Sequence, residues 1–183
     1  MKLAVALLLA GLLSGGARAE VVEAQADGFK IKQMLIIAAP PEKVYGAFVD
    51  IGSWWAAEHT YSGNSANLHI DARPGGCFCE ALPDGGGIVH MTLVNVMPGK
   101  RLTLSGALGP LQIAGVAGAM TVQLLPKDGG TQFGLLYNVG GYFPGGLKAI
   151  AGDVDAVLTL QVQRLKRFVE TGAVADPKAT AKP

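Results

Sequence analysis

The C-terminal part of the chain constrains the fold more than any other segment. Residues 147–170 contain no proline, and their apolar side chains recur at helical spacing. The residues on or near this apolar stripe are Val154, Leu158, Leu165 and Phe168. The pattern predicts a long helix with a broad apolar face. Because such a face is stable only when buried, the rest of the chain must supply a large apolar surface to cover it.

Short strand-like segments separated by strong turn signals precede this helix. Residues 29–38 begin with strict alternation and end in an apolar run, which predicts a strand that Pro40 stops. Two short helices are expected next, one starting at Pro41 and one at residues 51–58. Turn sequences at 83–86 and 126–130 predict hairpins. With about six antiparallel strands before the long helix, this order predicts an α+β fold.

The N-terminus carries the pattern of a cleavable secretory signal. Lys2 is followed by an apolar run, and Ala17-Arg18-Ala19 provides small residues at the two positions that the peptidase reads. The run is shorter than the roughly 17–25 residues that cross a membrane, so no membrane span is expected. We therefore expect cleavage between Ala19 and Glu20 and a periplasmic or secreted protein.

This interpretation divides the chain into a signal peptide at 1–19, one domain at 20–172 and a disordered tail at 173–183. The tail has two prolines and no apolar periodicity. Removing the signal also removes Lys2 and Arg18, so the formal net charge changes from +1 to −1. A chain this close to neutral has no electrostatic attraction to nucleic acid, and we expect no nucleic-acid partner.

Five short motifs, in this order, resemble those of a known superfamily. They are residues 36–48, Ser53-Trp54-Trp55, 74–80, 96–102 and 130–133. Together they extend over most of the expected domain and resemble the START-like superfamily, also called SRPBCC or polyketide cyclase-like. Within it, the chain is similar to the branch named after activators of a heat-shock chaperone ATPase.

The resemblance implies a helix-grip fold, in which a curved antiparallel sheet of about six to seven strands wraps the C-terminal helix. Members bind apolar or amphipathic small molecules in a cavity between sheet and helix, and some are cyclases, hydratases or lyases. Fold alone therefore does not select a function. The chain departs from the family at Cys77 and Cys79, where arginine or another large residue is common. Export would also separate it from the cytosolic chaperone.

Apolar and aromatic side chains are expected to form the wall of this cavity, with a few polar groups among them. In the last predicted strand, Phe133, Leu135 and Tyr137 alternate onto one face. Each residue alone is equally well explained as core packing, but the set favours a cavity. The candidate cavity residues are Trp54, Trp55, Tyr61, His90, Leu111, Phe133, Leu135, Tyr137, Tyr142, Phe143, Val154 and Leu158.

Two apolar segments rich in glycine, residues 106–118 and 140–146, fit neither a regular helix nor a good strand. An apolar loop exposed to water is unfavourable unless it covers something. We therefore expect both segments to gate the cavity.

The Cys77-x-Cys79 pair is the most unusual feature of the sequence. Alternation places both thiols on one strand face, roughly 6.6–6.8 Å apart at Cα, which is at the long limit for a disulfide. Depending on the hairpin register, either Cys79 or Glu80 lies opposite His90. The pair is a candidate redox pair, part of a metal site with His90, or two packed side chains, and packing is favoured. Glu80 itself is interpreted as a solvated charge.

Three functional hypotheses follow. The leading one is a binder of a small apolar molecule or lipid, without a cofactor or metal. The second is an enzyme of the cyclase, hydrolase or lyase type that uses the same cavity. The third is a protein-interaction module that docks an unknown partner through its apolar loops. No catalytic residue is assigned, because the sequence has no nucleophile elbow, His-Glu-x-x-His, phosphate loop or dinucleotide fingerprint.

Overall fold

A single large sheet and one long helix dominate the computed structural model, which describes residues 18–174, with side chains from Val21 onward. The strands are β1 (Arg18–Gln25), β2 (Gly28–Ile37), β3 (Leu68–Ile70), β4 (Cys77–Ala81), β5 (Gly87–Met97), β6 (Arg101–Gly106), β7 (Gly115–Lys127) and β8 (Gly130–Tyr142). The helices are α1 (Pro41–Val49) and α2 (Ala151–Thr171). The predicted α+β fold with a large antiparallel sheet and a long C-terminal helix is confirmed.

The eight strands form one antiparallel sheet in the order β1-β2-β8-β7-β6-β5-β4-β3. The expected hairpins are present at β4–β5 and β7–β8. In the second hairpin, Asp128 and Gly129 both have positive φ, the conformation that a two-residue turn between antiparallel strands requires. The sheet therefore has two edges, β1 and β3, and every other strand is paired on both sides.

Helix α2 packs across the inner face of the sheet, mainly on β2. Its buried residues include Leu158, Val162 and Leu165, as the apolar stripe predicts. Polar contacts fix its position as well, since buried Gln33 on β2 donates to Asp155 on α2 with 2.6 Å between Nε2 and Oδ1. The arrangement is consistent with a helix grip, with the core between the sheet and α2.

The region before β2 and the region after α1 differ from the prediction. Strand β1 was not expected, and it begins at Arg18, two residues before the predicted cleavage site. Only one α-helix follows the first predicted strand, because the second expected helix consists of two 3₁₀ turns, Ile51–Ser53 and Ala57–His59. In this conformation the adjacent rings of Trp54 and Trp55 are both buried, whereas a regular helix separates neighbouring side chains by about 100°.

The predicted signal peptide and tail fall mostly outside the described residues. Of the segment 1–19, only Arg18 and Ala19 are described, and both belong to β1. Of the segment 173–183, only Ala173 and Val174 are described.

Part of each glycine-rich segment is strand, which corrects the prediction for residues 115–118 and 140–142, whereas residues 143–146 are not strand. Gly115 pairs with Tyr142 and Gly118 with Val139, so these parts extend the β7–β8 hairpin together. Glycine is needed at position 118 because a Cβ there would overlap the carbonyl oxygen of Gly106 and lie 2.9 Å from Cε2 of Tyr137. The remaining part, residues 107–114, contains the 3₁₀ turn Gly109–Ile113 and stays a loop.

Candidate functional site

A small apolar cavity lies between the inner face of the sheet and α2. Its volume is about 20 Å³, which is enough for a single water molecule. The lining residues are Phe48, Ile51, Trp54, Trp55, Ile70, Phe78, Leu104, Leu108, Met120, Phe133, Leu135, Leu158, Gln161, Val162 and Leu165. Apart from the indole N–H groups of Trp54 and Trp55, Gln161 carries the only polar side chain among them, and the surface that faces the cavity is apolar.

The Gln161 side chain is only 1% exposed, and only one of its two polar atoms is hydrogen-bonded. Its Oε1 accepts a hydrogen bond from the backbone N–H of Ala56 at 2.9 Å. This bond assigns the amide orientation, because only the oxygen can accept. Among the described residues its Nε2 has no hydrogen-bond partner. A buried donor left unpaired costs about 1–3 kcal/mol, so pairing with an acceptor that reached Nε2 would be favourable.

The structure brings together some of the sequence-predicted cavity residues. Trp54, Trp55, Phe133, Leu135 and Leu158 all line the cavity. The others lie outside the lining: Tyr61, His90, Leu111, Tyr137, Tyr142, Phe143 and Val154. Leu111 and Tyr137 are buried elsewhere in the core, while Tyr142 is 75% exposed. The role of the lining residues in ligand binding stays a prediction.

Hydrogen bonds hold the two tryptophans in place, through their indole N–H groups and through the backbone carbonyl of Trp54. Trp54 donates from Nε1 to the carbonyl of Ala47 at 2.7 Å, and Trp55 donates to the carbonyl of His59 at 3.0 Å. Arg164 on α2 donates from Nε to the Trp54 carbonyl at 2.8 Å. The wall of the cavity on this side is therefore fixed by α2 as well as by its own packing.

Residues 54–62, which we call the strap, begin with the two tryptophans and end in contact with β4. Buried Glu80 on β4 accepts hydrogen bonds from the backbone N–H groups of Tyr61 and Ser62. His90 Nε2 lies 3.0 Å from Glu80 Oε2, and because a carboxylate only accepts, the imidazole donates. Glu80 therefore fixes one end of the strap, while Gln161 and Arg164 on α2 fix the other.

The pKa values of this buried pair are both displaced downward. Burial lowers the pKa of His90, and the nearby Glu80 carboxylate offsets only part of this effect. For Glu80, burial on its own raises the pKa, but the hydrogen bonds from Ser62, Tyr61 and His90 outweigh it and lower the pKa. A neutral imidazole and an ionised carboxylate are thus the forms favoured at neutral pH.

A β-bulge explains why the sequence did not predict this pair. Phe78 pairs with Met91 and Cys79 with Val89, so His90 is the extra residue of β5. Both His90 and Met91 are therefore buried on the inner face, although simple alternation would put them on opposite faces. The predictions that His90 lies opposite Cys79 or Glu80 and that Glu80 is solvated are wrong. Alternation in the sequence carries no signal for such a bulge.

Tyr137 fixes the loop 107–114 rather than facing the cavity. Its hydroxyl accepts a hydrogen bond from the backbone N–H of Leu108 at 3.2 Å. Burial raises the pKa of Tyr137 to about 12. The phenol therefore stays protonated at neutral pH and is poorly suited to act as a general base there. Its neighbour Leu108 does line the cavity.

The two cysteines face away from the cavity, on the outer side of the sheet. They form a disulfide, with 5.4 Å between their Cα atoms, which is shorter than the distance expected for a flat strand. His69 on β3 pairs with Cys79, and its Nε2 lies 4.0 Å from the Cys77 sulfur. The alternative that grouped Cys77 and Cys79 with His90 is thus wrong, because His90 lies on the opposite face, and the favoured interpretation as two merely packed side chains is wrong because they are bonded.

No helix in the described part of the chain is long and apolar enough to cross a membrane.

The most exposed apolar side chain in the loop 107–114 is Ile113, which is 92% exposed. The gating of the cavity by this loop stays a prediction, although Leu108 brings the loop into the lining.

Several solved structures share the fold. EF2215 from Enterococcus faecalis has a TM-score of 0.60 at 14% identity, with 90% of this chain and 82% of that chain covered. CalU16 from Micromonospora echinospora has a TM-score of 0.58 at 15% identity, with 88% of each chain covered. DynU16, a protein of the dynemicin biosynthetic locus, has a TM-score of 0.54 at 20% identity, covering 79% of this chain and 48% of that chain.

The sequence matches no protein-family model and no curated protein. At these identities the solved structures show a common fold and nothing about activity. What the comparisons establish is therefore the α+β architecture of a large antiparallel sheet packed on a long C-terminal helix.

Proposed function

We propose that the protein binds a small, mostly apolar molecule with one hydrogen-bond acceptor in the cavity between the sheet and α2. The observation that carries this proposal is the unpartnered Nε2 of Gln161 in an otherwise apolar lining. A ligand carbonyl, ether or hydroxyl oxygen at this position would accept from Nε2 while its apolar part contacts the aromatic wall. Pockets of this composition are typical of small-molecule sites.

A ligand larger than water requires the cavity to widen. Leu108 belongs to a loop flanked by Gly106 and Gly109, both with positive φ, so its backbone can rearrange more easily than a strand. The strap touches this loop through one exposed hydrogen bond, from the Tyr61 hydroxyl to the carbonyl of Gly109 at 3.0 Å. We propose that the ligand passes between the strap and this loop, with Leu108 moving outward.

Binding is favoured over catalysis by the chemistry of the lining. Within the described lining the polar groups are two indole N–H groups, which are bonded to backbone carbonyls, and one amide, and none of these transfers protons at neutral pH. His90 and Tyr137, two titratable residues among the candidate cavity residues, hold the strap and the loop instead. The proposed function is therefore that of a binder or carrier.

The proposal also includes the location and the family of the protein. The signal pattern at 1–19 supports a periplasmic or secreted protein, and the five sequence motifs together with the fold support membership of the START-like superfamily. Sequencing the N-terminus of protein secreted by its own source tests the location. A mature chain that starts at Glu20 is expected, and retention of Met1 would contradict export.

The two tryptophans make the binding proposal directly testable. They are the only tryptophans in the chain and both line the cavity, so their indole N–H signals in a nuclear magnetic resonance spectrum report on it. We expect acetophenone to shift both signals, and to bind about fivefold more tightly than α-methylstyrene. The two probes have nearly the same shape, but only the ketone accepts a hydrogen bond, which contributes about 1 kcal/mol.

Substitution of the amide provides the decisive comparison. Gln161→Met should abolish the preference for acetophenone, whereas Gln163→Met, at an exposed position of the same helix, should leave it unchanged. Thermal unfolding of both variants separates a loss of binding from a loss of folding. Equal preference in wild type and Gln161→Met would exclude Gln161 as the donor, and unshifted indole signals with both probes would contradict binding in this cavity.

A further inference from the structure

The outer face of the sheet carries a second group of chemically active side chains. His69 on β3 is exposed, and Cys77 and Cys79 on β4 are half-buried beside it. Their donor atoms, one imidazole nitrogen and two sulfurs, all lie within 4.8 Å of one another, and they are the group of three that the described residues offer. Because the cavity is on the other face, this cluster is independent of the proposed ligand site.

The disulfide between the two cysteines contributes little to holding the fold together. It closes a loop with a single intervening residue, Phe78, and the stabilisation by a disulfide falls as the loop becomes shorter. Cys79 is already positioned by pairing with His69 on β3 and Val89 on β5, and Cys77 by pairing with Thr92 on β5. Because the half-buried sulfurs contribute little to stability, we infer that they have a chemical role.

We propose that His69, Cys77 and Cys79 form a redox-gated site for Cu(I), which binds only after the disulfide has been reduced. While the disulfide is intact, neither sulfur can act as a thiolate ligand. Reduction leaves two thiols on adjacent outward positions of one strand, with the His69 imidazole next to them. The site is thus closed to metal in the oxidised protein and open in the reduced protein.

The reaction sequence balances with a dithiol as the reductant. The dithiol attacks the disulfide by exchange, the bond between the Cys77 and Cys79 sulfurs breaks, and the dithiol becomes a disulfide. Two electrons pass to the protein, and the two protons of the dithiol go to the new thiols. Cu(I) then displaces both thiol protons, which pass to solvent, and binds the two sulfurs together with Nε2 of His69.

The donor set favours Cu(I) over other metals. Thiolates are soft ligands that select Cu(I) or Zn²⁺. Zinc sites are tetrahedral, and this group supplies three ligands from two neighbouring strands, so Zn²⁺ would need water as its fourth ligand. Hard cations such as Mg²⁺ and Ca²⁺ are bound through oxygen, which this group does not supply.

Competition between the reduced protein and the chromophoric chelator bicinchoninate, under anaerobic conditions, tests the site. We expect one Cu(I) per reduced chain and no uptake by the oxidised chain. Cys77→Ser and Cys79→Ser should each lose the site, and His69→Asn should bind about tenfold or more weakly. His59→Asn, at an exposed position away from the cluster, serves as the matched control and should bind as wild type does.

Spectroscopy and folding controls make each outcome informative. X-ray absorption of the copper-loaded protein should report two sulfurs and one nitrogen around the metal. If a cysteine variant misfolds, alkylating both thiols of the reduced wild type with iodoacetamide replaces it and should abolish binding. Copper uptake by the oxidised or alkylated chain, an unchanged affinity in His69→Asn, or tighter binding of Zn²⁺ than of Cu(I) would overturn the proposal.

Discussion

A carboxylate removed from water is stable only when hydrogen bonds replace its hydration, and Glu80 satisfies this condition with three donors. Two of them are backbone N–H groups of the strap, and the third is the His90 imidazole. The side chain is only 1% exposed, so these contacts are barely weakened by solvent. Glu80 is therefore the residue on which the position of the strap most depends.

Replacing this carboxylate should loosen the strap. We expect Glu80→Gln to lower the free energy of unfolding at pH 7 by about 2–3 kcal/mol, because hydrogen bonds to a charged acceptor contribute more than neutral ones and an amide cannot accept from all three donors. Urea denaturation measures the change, and faster amide exchange at Tyr61 and Ser62 should accompany it. Glu58→Gln, at an exposed position, should change stability by less than about 0.5 kcal/mol.

At the scale of secondary structure, the sequence predicts best the elements whose pattern is local. Helix α2 follows from the spacing of its apolar residues, and the β7–β8 hairpin follows from Asp128-Gly129 between two apolar runs. Strand β1 escapes prediction because it is an edge strand whose described side chains, those of residues 21–25, are at most half-buried, so their burial imposes little apolar pattern. An element such as β1, which forms because it pairs with a neighbouring strand, is thus missed by sequence periodicity.

The glycine-rich half of the β7–β8 hairpin provides a test at this scale. We expect Gly118→Ala to lower the free energy of unfolding by about 1–3 kcal/mol, because the new Cβ would overlap the carbonyl oxygen of Gly106 and press on the buried ring of Tyr137 at 2.9 Å. Gly115→Ala lies in the same strand but would meet its nearest atom at an ordinary 3.7 Å, so it should be nearly neutral. Equal denaturation midpoints for the two variants would show that close packing does not explain Gly118.

At the scale of the whole molecule, the sequence patterns predict that the sheet packs on the long helix, but not which polar groups are left unpaired between them. Phe133 and Leu158 could be placed at the cavity because the strand and helix patterns direct them inward, whereas Trp54 was placed there by the family resemblance. The free donor of Gln161 could not, since it depends on one hydrogen bond from Ala56 on a different element. The position of His90 depends in the same way on a bulge that only pairing with β4 reveals.

Acid should destabilise the folded protein, because the pKa values of buried His90 and Glu80 are both lower than their ordinary values. The pKa of His90 is lowered by burial, so below about pH 6.5 the unfolded chain takes up a proton at this residue more readily than the folded chain. The stabilising contribution is complete above about pH 6.5 and is lost as the pH falls through the folded-state pKa. Glu80, whose pKa is also lowered, adds a second loss below about pH 4.5.

Measurement between pH 7.5 and 5.5 covers the range in which the unfolded-state histidine takes up its proton, and Asp155 acts in the opposite direction on acidification. Burial raises the pKa of that carboxyl, so its protonation favours the folded state. We expect urea denaturation to show wild-type stability falling across this interval, with a smaller fall in His90→Gln, which keeps a donor for Glu80 but does not titrate. His59→Gln should behave as wild type. An unchanged slope in His90→Gln would mean that the acid sensitivity of the fold arises elsewhere than in the buried pair that holds the strap.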